Sequence, residues 1–148
     1  MIRVVLDTNI LISAIISPNG KNARILEWER KGHIELLFSP ATIEEAWKVL
    51  RYPKLKKILQ KNKLNSETAE ISLENIIKSS IVVPGQITVD TLEEDPSDNV
   101  FLACAVEGQA DFIVSGDGHL NSLKSFHRIQ IVDTLILLKI MDRLSSTG

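Results

Sequence analysis

The chain has 148 residues and a formal net charge of −2, with 44% hydrophobic and 24% charged residues. This length predicts one compact domain over residues 1–148, and the composition is globular and excludes a disordered chain. The single cysteine, Cys104, excludes a disulfide framework and a zinc site built from thiolates. The longest apolar run, residues 100–106, is too short to span a membrane, and the N-terminus lacks a leader pattern. We therefore expect a cytoplasmic protein with no membrane partner.

Five short apolar runs predict the strands of a buried sheet. Their apolar character is nearly continuous, as expected when helices cover both faces of a parallel sheet. The runs are residues 2–6, 34–38, 81–83, 112–114 and 129–132.

The segments between these runs predict helices. Apolar side chains recur at helical spacing in residues 22–31, 40–51, 66–79, 96–107 and 134–144. Ser39-Pro40 and Asp95-Pro96 each place a capping side chain before a proline that would occupy the first helical position. The segment 96–107 is apolar almost all round and is expected to be the most buried helix. The alternation of strands and helices predicts a three-layer α/β fold with a central, mainly parallel five-stranded sheet flanked by helices.

Acidic residues follow two of the predicted strands. Asp7 comes directly after residues 2–6, and Asp117 comes shortly after residues 112–114. In open α/β sheets, ligands bind beyond the carboxyl ends of the strands, so both acids are well placed. Asp98 lies in the first turn of the helix 96–107. Glu44 and Glu45 both lie in the helix 40–51, and periodicity does not choose between them.

Each acid taken alone also has a purely structural interpretation. Asp7 could cap a following helix, Asp117 could belong to a Gly-Asp-Gly turn, and Asp98 could complement a helix dipole. Together they are harder to explain in this way, because carboxylates gathered at one sheet edge repel one another unless a cation neutralises them. Carboxylate oxygens without His or Cys partners favour hard ions such as Mg²⁺ or Mn²⁺. The pattern therefore predicts a divalent metal site.

Four segments resemble the PIN domain, in family order and spacing and over nearly the whole chain. They are Val-Val-Leu-Asp-Thr-Asn at 4–9, Glu-Glu-Ala-Trp-Lys-Val-Leu at 44–50, Asp-Pro-Ser-Asp-Asn at 95–99 and Ile-Val-Ser-Gly-Asp at 113–117. The resemblance is closest to prokaryotic PIN proteins grouped as toxin components of toxin–antitoxin systems, related to VapC ribonucleases.

This resemblance implies an acidic quartet that holds one or two Mg²⁺ or Mn²⁺ ions and carries out catalysis. Its members would be Asp7, Glu45, Asp98 and Asp117. Glu45 takes the family position because it lies five residues before Leu50, which closes its segment.

Further positions match or depart from the family pattern. Asn9 and Ser115 match polar positions that support the metal site in such proteins. His119 stands where many relatives carry a further acid, a departure that would weaken a second metal site.

The implied activity is endoribonucleolytic hydrolysis of RNA phosphodiesters, by a toxin that is paired with a cognate antitoxin. The alternative is a non-catalytic PIN-fold module for RNA binding or assembly, which metal-dependent stabilisation without nuclease activity would indicate.

Two surfaces suggest partners. Seven basic residues fall between positions 48 and 63 with no acid among them, and we call this set the basic band: Lys48, Arg51, Lys54, Lys56, Lys57, Lys61 and Lys63. A local band of this kind can bind phosphates on a slightly acidic protein, and its first five members are the RNA-binding candidates; a solvated helix face is the alternative. The helix 134–144 is broadly apolar, which is consistent either with packing on its own sheet or with the homodimers typical of the family.

Overall fold

The computed structural model describes residues 1–89, 99–116 and 118–147, and at positions 118, 119, 122 and 147 it describes the backbone. Within these residues the strands are β1 (Ile2–Leu6), β2 (Ile34–Phe38), β3 (Ile81–Val82), β4 (Phe112–Val114), β5 (Ser125–Phe126) and β6 (Ile129–Val132). The helices are α1 (Thr8–Ile16), α2 (Ala23–Arg30), α3 (Pro40–Leu50), α4 (Pro53–Lys61), α5 (Ser66–Lys78), α6 (Asn99–Glu107), α7 (Gly118–Leu123) and α8 (Thr134–Thr147).

The strands form one sheet in the order β3-β2-β1-β4-β6-β5, and every neighbouring pair is parallel except β5 with β6. The chain builds outward from β1 to β2 and β3 on one side, and later places β4 on the other side of β1. The strand order therefore reverses between β1 and β4, which is where open α/β sheets bind their ligands.

The sheet has six strands among the described residues, so the prediction of five was wrong. The missed strand, β5, is only two residues long and pairs with β6 through a turn at His127 and Arg128. Both turn residues have positive φ, 49° and 69°, as a tight hairpin turn of the type I′ kind requires. Because neither is the asparagine or glycine that usually marks such a turn, the sequence carries no signal for it.

Helices cover both faces of the sheet, which confirms the predicted architecture. Along β1, Val4 and Leu6 belong to one hydrophobic cluster, whereas Val5 belongs to the other. The first cluster includes residues of α1, α2, α3, α4, α5 and α8, and the second includes residues of α6 and α7. Alternate residues of one strand thus enter opposite cores, as the pleat dictates.

The start of α3 confirms the predicted cap. The Thr42 backbone N–H donates to Ser39 Oγ at 3.3 Å, and the Ser39 backbone N–H donates to Thr42 Oγ1 at 2.9 Å. This reciprocal capping box fixes where α3 leaves β2. The second predicted cap, Asp95-Pro96, lies outside the described residues.

The prediction that the helix 96–107 is the most buried was wrong. Of the described helices, α1 is buried at seven of its nine residues, whereas α6 is buried at four of nine. Because α1 is apolar on nearly all sides, it shows no amphipathic stripe from which its bounds could be read.

None of the helices in the described ranges is long and apolar enough to cross a bilayer.

Candidate functional site

Asp7 lies at the centre of the sheet, between the end of β1 and the start of α1. Its backbone N–H donates to the Val114 carbonyl oxygen at 3.0 Å, which extends the ladder between β1 and β4. Its side-chain Oδ1 accepts a hydrogen bond from the Ile10 N–H at 2.9 Å and so caps α1. The residue is only 6% exposed. A carboxylate at this depth requires polar partners, and the helix start supplies one of them.

Ser115 holds the other oxygen of the same carboxylate. It follows β4, is fully buried, and its hydroxyl donates to Asp7 Oδ2 at 2.6 Å. The Ser115 N–H donates to the Val132 carbonyl oxygen of β6 at 3.0 Å, and Asn121 Nδ2 donates to the Ser115 carbonyl oxygen at 2.8 Å. The structure therefore brings Asp7 and Ser115 together across the point where the strand order reverses.

Asn121 is a supporting residue that the sequence did not indicate. It lies in α7, a helix of six residues that is too short to show a periodic pattern. Its contact with Ser115 becomes visible only when β4 and α7 are placed in space.

The buried hydroxyl of Thr8, next to Asp7, bears on whether this site suits a hydrated cation. Its side chain is 7% exposed, and its hydroxyl has no hydrogen-bond partner among the residues that the structure describes. A buried hydroxyl without a partner costs roughly 1–3 kcal/mol. A hydrated ion held by the adjacent Asp7 would supply a water to such a group. The orphaned hydroxyl and the oxygen-only donors fit a hard divalent ion.

Glu45 lies on α3, a helix that starts at the same edge of the sheet. This helix begins directly after β2, the strand next to β1, and it packs against α1. Glu45 is half-buried in the second turn of α3, whereas Glu44 is exposed. Burial therefore favours Glu45, a choice that periodicity alone left open.

Two members of the predicted quartet, Asp98 and Asp117, lie outside the described residues. Among the described side chains no group of three or more His, Cys, Asp or Glu residues could hold a metal, and only two of the four predicted ligands are among them. Asn9 is exposed on α1 and makes no hydrogen bond with Asp7 in the described part of the chain. The quartet and the supporting role of Asn9 stay predictions.

Cys104 takes no part in this chemistry. It is buried on α6, and burial raises the pKa of its thiol from 9.0 to about 12, although hydroxyls of Ser39 and Thr42 oppose the rise. The thiol remains protonated at neutral pH, so it is a core residue and not a thiolate ligand.

The members of the basic band are all exposed, and they lie on α3, on α4 and in the short segments that follow these helices. Leu55 and Leu59 anchor α4 in the core, and the lysines at helical spacing on its other side are Lys54, Lys57 and Lys61. None of the lysines of the band makes an ion pair with a carboxylate within the described residues.

Arg51 differs from these lysines because its guanidinium has protein partners. It lies 5.0 Å from the centre of the Trp47 ring and 3.8 Å from a Glu70 carboxylate oxygen. Within the described residues, the lysines of the band are therefore more available than Arg51 to bind an anionic ligand.

The fold and the site define an α/β protein with a buried acidic group at the strand-order reversal. Residues 3–119 match the family model of the PIN domain. An uncharacterised protein of Methanocaldococcus jannaschii is 31% identical over 136 residues, which cover 92% of this chain and 84% of that protein. The chain belongs to the PIN domain family. PIN domains have a nuclease-type fold, are generally nucleases that act on nucleic acid, and commonly use divalent metals.

Proposed function

We propose that this protein is a metal-dependent endoribonuclease that hydrolyses RNA phosphodiesters, with residues 1–148 forming one PIN domain. The observation that carries the proposal is the buried Asp7 carboxylate, which Ile10 and Ser115 hold in one orientation at the reversal of strand order. A charged group fixed in this way is preorganised to meet a cation without rearrangement.

The proposed metal ligands are Asp7, Glu45, Asp98 and Asp117. One or two Mg²⁺ or Mn²⁺ ions in such a site supply an activated water and positive charge for phosphodiester hydrolysis. Ser115 orients Asp7 through the 2.6 Å hydrogen bond, and β6 and Asn121 in turn hold Ser115 in place. Asn9, two residues after Asp7, is the proposed second supporting donor. Groups that orient a metal ligand are as much a part of such sites as the ligands are.

The substrate would be held by the basic band. Lys48, Arg51, Lys54, Lys56 and Lys57 are exposed, and phosphate contacts of this kind position nucleic acid without reading its sequence. Lys48 is one helical turn from Glu45 on α3, so the band begins next to a proposed metal ligand.

The biological role that we propose is that of a cytoplasmic toxin held in check by a cognate antitoxin. A small neighbouring reading frame with a DNA-binding pattern would support this role, whereas an isolated gene would favour general RNA processing.

We also propose a homodimer through α8. Leu137, Leu138 and Met141 pack into the chain's own core, but Leu135 and Ile136 are 52% and 46% exposed. A molar mass from light scattering that matches one chain would contradict the dimer.

The decisive variant is Asp7→Asn, because asparagine keeps the shape of the side chain and can still cap α1. We expect RNA cleavage in the presence of Mg²⁺ or Mn²⁺ to fall by more than the roughly 10- to 100-fold that loss of a supporting residue costs. The measurement is the rate of cleavage of an RNA oligonucleotide, with chelator as the metal-free reference. Unchanged cleavage would refute the assignment.

Neighbouring glutamates on α3 provide a matched control. Glu45→Gln should reduce cleavage strongly, whereas Glu44→Gln should not, because Glu45 is the proposed ligand and is half-buried while Glu44 is exposed. If the wild type gains stability from the metal but cleaves no RNA, the chain is a non-catalytic module.

A further inference from the structure

Tyr52 is the one aromatic side chain that this protein leaves exposed. All seven aromatic residues lie in the described part of the chain, and six of them are buried or half-buried. Tyr52 is 45% exposed and makes no side-chain capping bond, although it occupies the N-cap position of α4. Its side chain makes no hydrogen bond or ring contact with the other described residues.

Tyr52 lies close along the chain to Glu45, a proposed metal ligand. Glu45 and Lys48 lie three residues apart on one face of α3, and Tyr52 follows two residues after this helix ends at Leu50. The Tyr52 N–H donates to the Val49 carbonyl oxygen at 3.1 Å, which keeps the chain close to the helical path. At 1.5 Å per residue, Tyr52 lies about 10 Å along the axis from Glu45. A few nucleotides of an RNA strand span such a distance.

Basic residues flank Tyr52 along the chain, and Glu70 lies 3.8 Å from the neighbouring Arg51. Lys48 precedes Tyr52 and Lys54 follows it, and the sequence contains no acid between Glu45 and Glu67. Trp47 is nearby in sequence, but it is half-buried and the Arg51 guanidinium lies 5.0 Å from its ring centre. Tyr52 is therefore the ring in this region that remains open to a ligand.

An open aromatic ring between lysines that make no ion pair within the described part of the chain matches the chemistry of single-stranded nucleic acid. Proteins bind such strands by stacking bases on aromatic rings while basic side chains contact the phosphates. The bases of a duplex already stack on one another, so they are not available to an isolated surface ring.

We propose that Tyr52 forms a stacking subsite for one unpaired RNA base, beside the phosphate-binding lysines and about 10 Å along the chain axis from Glu45. This inference rests on the proposed function and narrows its substrate to RNA that is single-stranded around the cleaved bond. Lys48 and Lys54 contact the phosphates on either side of the stacked base.

Binding without cleavage tests this subsite separately from catalysis. In the Asp7→Asn background with chelator present, fluorescence anisotropy would measure the affinity for a labelled single-stranded RNA and for a duplex of equal length. Tyr52→Ala should weaken single-strand binding by about 5- to 150-fold, the range expected for one stacked base. Tyr52→Phe keeps the ring and should restore most of the affinity.

Two controls separate stacking from other effects. Ile71→Ala removes a similarly exposed side chain from α5, outside the acid-free stretch, and should leave the affinity unchanged. Duplex binding should respond little to Tyr52→Ala. If single-strand and duplex binding fall equally, Tyr52 does not act by stacking and the inference is wrong.

The ring can also be observed directly, because Tyr52 is the only tyrosine in the chain. With ring-labelled tyrosine, NMR should show one set of ring signals that moves upfield when single-stranded RNA is added. RNA binding with no change in these signals would overturn the subsite and leave the proposed nuclease standing. No RNA binding at all would overturn both proposals.

Discussion

Asp7 shows how one side chain can serve both the fold and the site. One carboxylate oxygen accepts the hydrogen bond that caps α1, and the other accepts the hydroxyl of Ser115. The two interpretations that the sequence allowed for Asp7, a cap and a candidate ligand, are therefore compatible. The cap fixes the direction in which the candidate ligand faces.

The sequence could predict the location of Asp7 but not its partners. An acid directly after a continuous apolar run is visible in the sequence itself. The contact with Ser115 joins positions 108 residues apart and depends on β4 being the neighbour of β1. Residue patterns do not specify that neighbour, and Ser115 was indicated only by its resemblance to a family position. Thr8 and Asn121 carried no signal at all.

Ser115→Ala tests the supporting role of the serine hydroxyl. The change removes a donor from Asp7 Oδ2, so the carboxylate loses a constraint on its orientation. We expect the affinity for Mn²⁺ and the rate of RNA cleavage to fall by about 10- to 100-fold. Calorimetric titration with Mn²⁺ measures the first and an RNA cleavage assay the second.

The control for this variant is Ser125→Ala, which removes an exposed hydroxyl on β5. It should change neither quantity. A Ser115→Ala protein that binds Mn²⁺ like the wild type would show that the hydroxyl serves packing only.

At the scale of elements, the predictions succeeded where an apolar pattern is either continuous or cleanly periodic. The continuous runs gave β1, β2, β4 and β6, and the periodic segments gave α2, α3, α5 and α8 to within three residues at each end. Four elements were not predicted. The helix α1 was missed because apolar residues surround it, and α7 and β5 because they are six and two residues long. The helix α4 was also missed, although Leu55 and Leu59 give it an apolar side.

The amphipathic character of α4 supports a prediction about the basic band. Lys54 and Lys57 lie on its exposed side, away from the buried Leu55 and Leu59. The double variant Lys54→Ala/Lys57→Ala should weaken RNA binding. The slope of the logarithm of the binding constant against the logarithm of salt concentration should become shallower by about 0.7 for each phosphate contact that is lost. Affinity measured at several salt concentrations gives this slope. Because both lysines are exposed, stability should change by less than about 0.5 kcal/mol.

Lys139→Ala provides the comparison, since Lys139 is equally exposed but lies on α8. The slope should not change in this variant. If the double variant also keeps the wild-type slope, the lysines of α4 form a solvated face and do not contact RNA.

At the scale of the whole molecule, two hydrophobic cores lie on opposite faces of one sheet. The α/β class followed from the sequence because almost every strand is apolar on both faces, which only a covered sheet tolerates. The order of the strands did not follow, because it depends on contacts between distant segments. The location of the site depends on that order, so the sequence indicated candidate residue types, and the structure added the contact between Asp7 and Ser115.

Cys104 links the second core to the pH dependence of global stability. Its pKa is about 12 in the folded protein, raised from 9.0 by burial. The unfolded chain therefore releases this proton at lower pH than the folded chain does, and alkaline conditions favour unfolding. The contribution of Cys104 to stability should be fully present below about pH 9 and decline as the pH rises toward 12.

Urea unfolding of the wild type and of Cys104→Ala at pH 8 and pH 10.5 would measure this effect. The wild type should lose more stability between the two pH values, by at most about 1.4 kcal/mol per pH unit for a single proton. All other titrating groups are common to both proteins and cancel in the comparison. Equal losses would show that the thiol ionises without hindrance in the folded state.

The two outer strands of the sheet, β3 and β5, have only two residues each. A sheet margin exposes unpaired backbone amides and carbonyls that invite pairing with another molecule, and very short margins are one way in which proteins avoid this. Within the described residues, each of these outer strands offers a foreign strand only two residues with which to pair. Edge-to-edge association through β3 or β5 is therefore disfavoured, although the strands between them are almost entirely apolar.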